Sequence, residues 1–196
     1  MKFFTISLLP LLLAAAFLTG INEDVITKEI QSSAITWKAY KVTGSHTGTV
    51  DLKSGSLEFD DNGNLTGGNF MIDMSTIAIT DITGGPAENL KGHLMSDDFF
   101  SVAKNPTATL NITSVAAKGT PGDYKVTADL TIKGKTAPVK FYTNIMDLDG
   151  MKKATASIKV DRTEYDVQYG SGSFFSGLGD KTIYDEFDID VELLVK

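Results

Sequence analysis

The sequence predicts an all-β fold: a single closed antiparallel β-barrel of about eight strands with one short helical insert. Three observations predict it. Apolar and polar residues alternate with period two in successive short runs, neighbouring runs are mostly joined by hairpin chemistry, and only two long interruptions break the order. A meander that is apolar on one face must close or stack to bury that face, and closure also removes exposed edges. Length agrees: 196 residues, 42% hydrophobic and 22% charged, suit one globular domain.

The chain opens MKFFTISLLPLLLAAAFLTG, one lysine followed by an apolar run to Leu18. Residues 1–20 are therefore expected to be a signal peptide, and the protein to be periplasmic or secreted. Ala14 and Ala16 offer a small-x-small cleavage site. Leu18-Thr19-Gly20 resembles the run before a lipoprotein cysteine, but position 21 is Ile21, so no thioether lipid forms there. A retained membrane anchor is the alternative. Residues 21–33 are polar and unpatterned and are expected to be a leader, with the barrel domain at 34–196.

Eight strands are expected. In YKVTADLTIK, Tyr124, Val126, Ala128, Leu130 and Ile132 share one face; at the carboxyl end Phe187, Ile189, Val191, Leu193 and Val195 do the same. Weaker alternation marks Ile35–Val42, Thr49–Phe59, Phe70–Met74, Ala108–Ile112, Val139–Ile145 and Ala154–Val160. Turns are expected at Ser54-Gly55, Asn62-Gly63, Gly119 to Asp123, Lys133-Gly134 and Asp149-Gly150. Gly67-Gly68 within a strand pattern marks a bend or bulge.

The first interruption begins at Pro86 and reads as a short helix with Leu90 and Leu94 one turn apart. Ser96 and Asp97 are expected to cap a further turn bearing Phe99, Phe100 and Val102, ended by Pro106. Leu94, Phe99 and Phe100 become a lid or plug at one barrel opening. The second, Gly170 to Thr182, is a glycine-rich rim loop carrying Phe174 and Phe175.

An eight-stranded barrel can be filled by its own side chains or can hold one small ligand, and parity alone leaves both open. The inferred inward set is Phe70, Ile72, Ala108, Leu110, Ala128, Leu130, Phe141, Ala156, Ile158, Phe187, Ile189 and Val191. It mixes a few large residues with small ones and has no ionisable member, so a cavity there suits an apolar chain. Each methylene moved from water contributes about 0.8 kcal/mol. A filled barrel would instead leave a non-catalytic stress-response or protein-interaction module.

Other classes of function find little support. The net charge is −7, or −8 without Lys2, and Arg162 is the only arginine, so no cationic footprint for nucleic acid exists. There is no cysteine for a disulfide or thiolate metal site. His46 and His93, the only histidines, lack a third ligand in view, and no metal or other cofactor is expected. Glu186, Asp188, Asp190 and Glu192 alternate onto the outer face, where they are solvated. No GxSxG elbow or nucleotide fingerprint is present, and no enzyme activity is expected; a histidine placed inside the barrel would reopen that question. Arg162 is expected to form a structural ion pair among Asp161, Glu164 and Asp166, with a ligand headgroup as the lesser alternative; His93 is a second candidate for the headgroup.

Several stretches in register, GSHTGTVDLKSGSLEF, GGNFMIDMSTI, HLMSDDFFSVAKNPTATL, LTIKGKTAPVKF and DRTEYDVQYGSGSFFSGLGDKTIYDEFDIDVEL, resemble the YceI-like family of exported bacterial lipid-binding proteins. The resemblance spans nearly everything after Ser33. It implies an extended, lipocalin-like barrel with a helical insert whose tunnel holds a polyisoprenoid or similar amphiphile, and it implies no catalysis. Asp166 departs from it, since members commonly carry glycine there. The expected ligand is an isoprenoid lipid or quinone-like amphiphile, with transient membrane contact during exchange.

Overall fold

The computed structural model describes residues 25–196. Eight strands follow one another around a closed antiparallel barrel: β1 (Ile26–Lys41), β2 (Gly44–Phe59), β3 (Leu65–Ile79), β4 (Thr107–Ala117), β5 (Asp123–Ile132), β6 (Lys135–Leu148), β7 (Met151–Asp161) and β8 (Ile183–Val195), with β8 pairing back onto β1. Helix α1 (Gly85–Met95) lies between β3 and β4, and two single 3-10 turns, Arg162–Tyr165 and Gly179–Lys181, lie between β7 and β8. The expected signal peptide, 1–20, falls outside the described residues, as do positions 21–24 of the expected leader.

From Ile26 onward that leader is strand. β1 starts at Ile26, where it pairs with Phe59 of β2, so the barrel begins eight residues before position 34. Most side chains of this first stretch are exposed, which removes the alternation that marks a half-buried strand. Ser54-Gly55 is likewise no turn. β2 runs through it with a register shift between Leu52 and Ser54, and Gly55 lacks a side chain where Phe70 and Ile30 crowd its backbone.

The other turns form as their residues dictate. Lys133-Gly134 and Asp149-Gly150 have consecutive positive φ, as two-residue hairpins require, and Gly63 turns β2 into β3. A further register shift falls between Glu58 and Phe59, beside Gly67, which is the expected bulge.

Two ladders are short. β3 pairs with β4 only from Asn69 to Asp73, leaving Met74–Ile79 for α1 to pack against. β6 pairs with β7 only from Tyr142 to Leu148, and the Arg162–Tyr165 turn meets the rest of β6. Both gaps lie toward the same end of the barrel. Helix α1 has Pro86 in its first turn, as expected, and Ser96 closes it, its amide and Oγ both donating to the His93 carbonyl, with the expected further turn following from Asp97. Residues 97–104 are turns, with the Asp97 carboxylate accepting from Ser101 Oγ and Lys104 Nζ.

Candidate functional site

The interior of the barrel is hollow. An apolar cavity of about 350 Å³ runs inside it, within the size range of small-molecule sites. Its walls come from every strand, and the side chains show its presence directly. Phe70, Ile72, Phe141, Phe187, Ile189 and Val191 point inward yet are only half-buried, because the space they face holds no protein atoms. Inward residues of a filled barrel would be closed off on all sides.

The floor is formed by Leu57 and Leu65. Beneath it Phe59, Tyr124 and Val195 are buried, the Leu65 amide donates to Tyr124 Oη at 3.3 Å, and Lys152 Nζ lies 5.2 Å from the centre of the Phe59 ring. At the opposite end the lining reaches solvent through Lys41 and Tyr184, both exposed. This mouth is built by the β1–β2 turn, by Leu90, His93 and Leu94 of α1, by Phe99 and Phe100, and by the start of β8. Trp37, the single tryptophan, lies on the wall, with Nε1 donating to the Thr49 carbonyl. Gly48 makes room for it: a Cβ there would collide with the indole and with the Ala78 carbonyl.

Eleven of the twelve expected lining residues border this cavity: Phe70, Ile72, Ala108, Leu110, Leu130, Phe141, Ala156, Ile158, Phe187, Ile189 and Val191. Ala128 is the exception. It is inward by parity but fully buried, and does not border the void. Leu94, Phe99 and Phe100 border the mouth, while Phe174 and Phe175 are half exposed on the loop beyond it and do not border the cavity.

Arg162 is 3% exposed and serves the wall itself. Its Nε donates to the Tyr184 carbonyl (3.1 Å), Nη1 to Val167 (2.6 Å) and Nη2 to Ile183 (3.0 Å), and Nη2 lies 3.4 Å from Asp185. The ion pair is thus with Asp185, not with Asp161, Glu164 or Asp166. Asp161 instead caps the 3-10 turn by accepting from Thr163. Sequence proximity misled here, because the β7–β8 connection folds back over twenty residues onto the arginine. Burial pushes the guanidinium pKa down, opposed by Asp185. Burial also raises Asp185, but hydrogen bonds from Ser171 and Ser173 and the Arg162 charge outweigh it and leave the carboxyl below its ordinary range.

Both histidines border the cavity, at its mouth. His46 Nδ1 lies 2.9 Å from Asp81 Oδ2, and Asp81 also accepts from the Thr47 amide; these bonds outweigh burial and hold the carboxyl low. His93 stands on α1 with its ring edge-on to Phe99 (5.2 Å) and Tyr169 (4.5 Å). Its Nε2 is the one buried side-chain nitrogen or oxygen among the described residues that no protein group bonds. Leaving such a group unpaired costs about 1–3 kcal/mol. The acid row is outside, as expected: Glu186 and Asp188 pair with Lys159, and Glu192 pairs with Lys153. Among the described residues no group of three metal-binding side chains converges.

With this geometry in view, a profile of the YceI-like domain matches residues 26–195, the whole barrel. The chain belongs to the YceI-like family. The match begins at the first residue of β1, where the structure also begins the barrel. Among curated relatives, a UPF0312 protein of Pseudomonas paraeruginosa is 41% identical over 71 residues, 36% of this chain and 36% of that protein. Protein YceI of Escherichia coli is 45% identical over 64 residues, 33% and 32% of the two. The aligned stretches thus span about a third of these relatives.

Solved structures extend the likeness of fold at lower identity. Burkholderia cenocepacia BcnA superposes with a TM-score of 0.68 at 20% identity, covering 84% of this chain and 96% of that one. A polyisoprenoid binding domain from Saccharophagus degradans, implicated in plant cell wall breakdown, gives 0.61 at 16% identity over 88% and 99%. At such identities the likeness is one of fold.

Proposed function

We propose that this YceI-like barrel takes up the hydrocarbon tail of an isoprenoid lipid or quinone-like amphiphile, tail toward Leu57 and Leu65 and head at the mouth, and sequesters or carries it in the cell envelope. The single observation behind this reading is the hollow itself: lined almost wholly by apolar side chains, packed shut at one end by Phe59, Tyr124 and Val195, and carrying its ionisable groups at the other. Burying methylenes at about 0.8 kcal/mol each offsets the ordering of a flexible chain. The Saccharophagus domain, named for polyisoprenoid binding, shares the fold and supports the choice of tail. The envelope location rests on the apolar run at residues 1–20. Tyr169, Phe174, Phe175 and Tyr184, exposed on the β7–β8 connection and the start of β8, are suited to transient contact with a membrane surface during exchange.

The test is native mass spectrometry of protein purified from its own host, followed by organic extraction. A co-purifying isoprenoid mass is expected. Repeatedly empty protein that also refuses added isoprenoids overturns the reading.

One observation favours a second, hydrolytic reading: the His46–Asp81 pair at the mouth is a general-base arrangement. It is distinguished by incubation with a prenyl ester. Binding without turnover supports carriage, whereas turnover abolished by His46→Ala would make the protein an enzyme.

A further inference from the structure

Resting on the tail-binding reading, we propose that His93 forms a headgroup subsite selective for an uncharged head presenting one hydrogen-bonding oxygen, an alcohol or a carbonyl, over a phosphorylated head. Apart from Thr155, toward the closed end, and Lys41 and Tyr184 on the exposed rim, the other polar side chains along the cavity are engaged by the protein. Trp37 Nε1 donates to Thr49, Thr143 Oγ1 to the Thr155 carbonyl (2.9 Å), and Tyr40 Oη to Asp188 (2.7 Å); His46 is held by Asp81. His93 Nε2 is buried with no protein partner, on a ring that lines the mouth. Buried nitrogens of this kind are almost always bonded, so the one without a protein partner marks where an incoming molecule supplies the bond.

Nε2 is itself enclosed, so a head that bonds it must displace part of the packing around the ring. The ring is carried by a helix and packed edge-on by Phe99 and Tyr169. An Nε2–H donates to a carbonyl, and the other tautomer accepts from a hydroxyl, so either neutral head is satisfied by this single nitrogen.

A phosphate would fare worse. The guanidinium of Arg162, the only arginine, already serves three carbonyls and Asp185. The Asp81 and Asp185 carboxylates lie at the same end and are held ionised. The remaining cation on the lining, Lys41, is exposed on the rim. A buried phosphate would lose its water without gaining the paired cations that offset that loss.

The experiment titrates the full chain with four ligands, read by the fluorescence of Trp37 on the cavity wall: geranylgeraniol, a decyl-tailed benzoquinone, geranylgeranyl phosphate, and phytane as a headless isoprenoid. In the native protein the alcohol, the quinone or both should bind about tenfold more tightly than phytane and than the phosphate, the scale of one well-made hydrogen bond. His93→Phe should bring the headed and headless ligands within about twofold of one another, and His93→Gln should recover part of the preference. The His93 Nε2 resonance in 15N NMR should shift with the preferred head and not with phytane; the two neutral arms tell an alcohol from a carbonyl. Equal affinity for headed and headless ligands in the native protein, a preference that survives His93→Phe, or tighter binding of the phosphate overturns the subsite while tail binding stands. If phytane and every headed ligand fail to bind, the tail-binding reading falls and the subsite falls with it. The native panel and the resonance need no variant to fold.

Discussion

The two ends of the barrel are built from the same alternating strands and differ in what they do with their inward side chains. At the closed end Phe59, Tyr124, Val126 and Val195 meet one another with almost no exposure. At the mouth the strands pair incompletely, and α1, the turns after it and the β7–β8 connection fill in around a void. One end carries the stability of the barrel and the other its access. The exception is Arg162, a buried charge at the mouth that stitches the β7–β8 connection to the wall.

The sharpest way to break that contrast is to truncate a ring at each end. Phe59→Ala should cost about 3–5 kcal/mol in urea unfolding, as for a fully buried core aromatic. Phe100→Ala, half-buried against the cavity, should cost only about 1 kcal/mol while weakening ligand retention. Equal costs would mean that the mouth is a packed plug. Arg162→Met should rival Phe59→Ala, about 3–5 kcal/mol, because it strands three carbonyls and leaves Asp185 without its partner.

Two alanines sharpen the comparison at intermediate scale. Ala128 has no space before it, so Ala128→Phe should destabilise by about 1–3 kcal/mol. Ala108 borders the void, so Ala108→Phe should stay within about 1 kcal/mol of the native protein and abolish tail binding. Thermal melts and the Trp37 titration measure the pair. A severe loss of stability in Ala108→Phe would mean that the hollow cannot accept a ring.

Acid should act on the mouth and on the β2–β3 turn, where Asn64 and Asn62 likewise hold the Asp60 carboxyl low. Asp81, Asp97 and Asp185 have folded pKa values below the ordinary 3.8, so their stabilising bonds are present above that value and are lost as pH falls through the folded pKa. Hydrogen exchange between about pH 5 and pH 2 should show protection lost around α1, the β7–β8 connection and the Asp60 turn before the Val126 amide in the middle of β5 exchanges. At the alkaline extreme Tyr165, pushed up to about 12 by burial, stays protonated in the fold while the unfolded chain ionises near 10.0. Stability should therefore decline between those values, by up to about 1.4 kcal/mol per pH unit. A flat profile would indicate that the ring opens to solvent without unfolding.

The wall was far more legible in the sequence than the mouth. Parity named eleven lining residues because a strand alternates regardless of what it faces, and hairpin dipeptides such as Lys133-Gly134 set where the strands end. Parity could not tell Ala128 from Ala108, because depth behind neighbouring side chains is set by barrel curvature. Nor could it find Ile26–Ser33, whose side chains are mostly exposed and whose strand conformation comes from pairing to β2 and β8. The Asp185 partner of Arg162 was hidden by a long connection. Both histidines were visible as residues, but only the fold brings them to one opening and leaves one ring nitrogen without a protein partner.

The smallest effect concerns Asp166, the position where the resemblance to the family implies glycine. It sits at φ 62°, in the left-handed region that glycine occupies freely and aspartate tolerates. The turn therefore keeps a conformation suited to glycine, and its carbonyl accepts from Lys133 Nζ whatever the side chain. Asp166→Gly relieves the backbone but loses the exposed contact with Lys135 and gains freedom when unfolded. These opposing terms should leave stability within about 1 kcal/mol of the native protein, with unchanged Trp37 emission. A larger loss would mean that the 3.7 Å pair with Lys135 braces the mouth, which would move part of its stability from the Arg162 network to its surface.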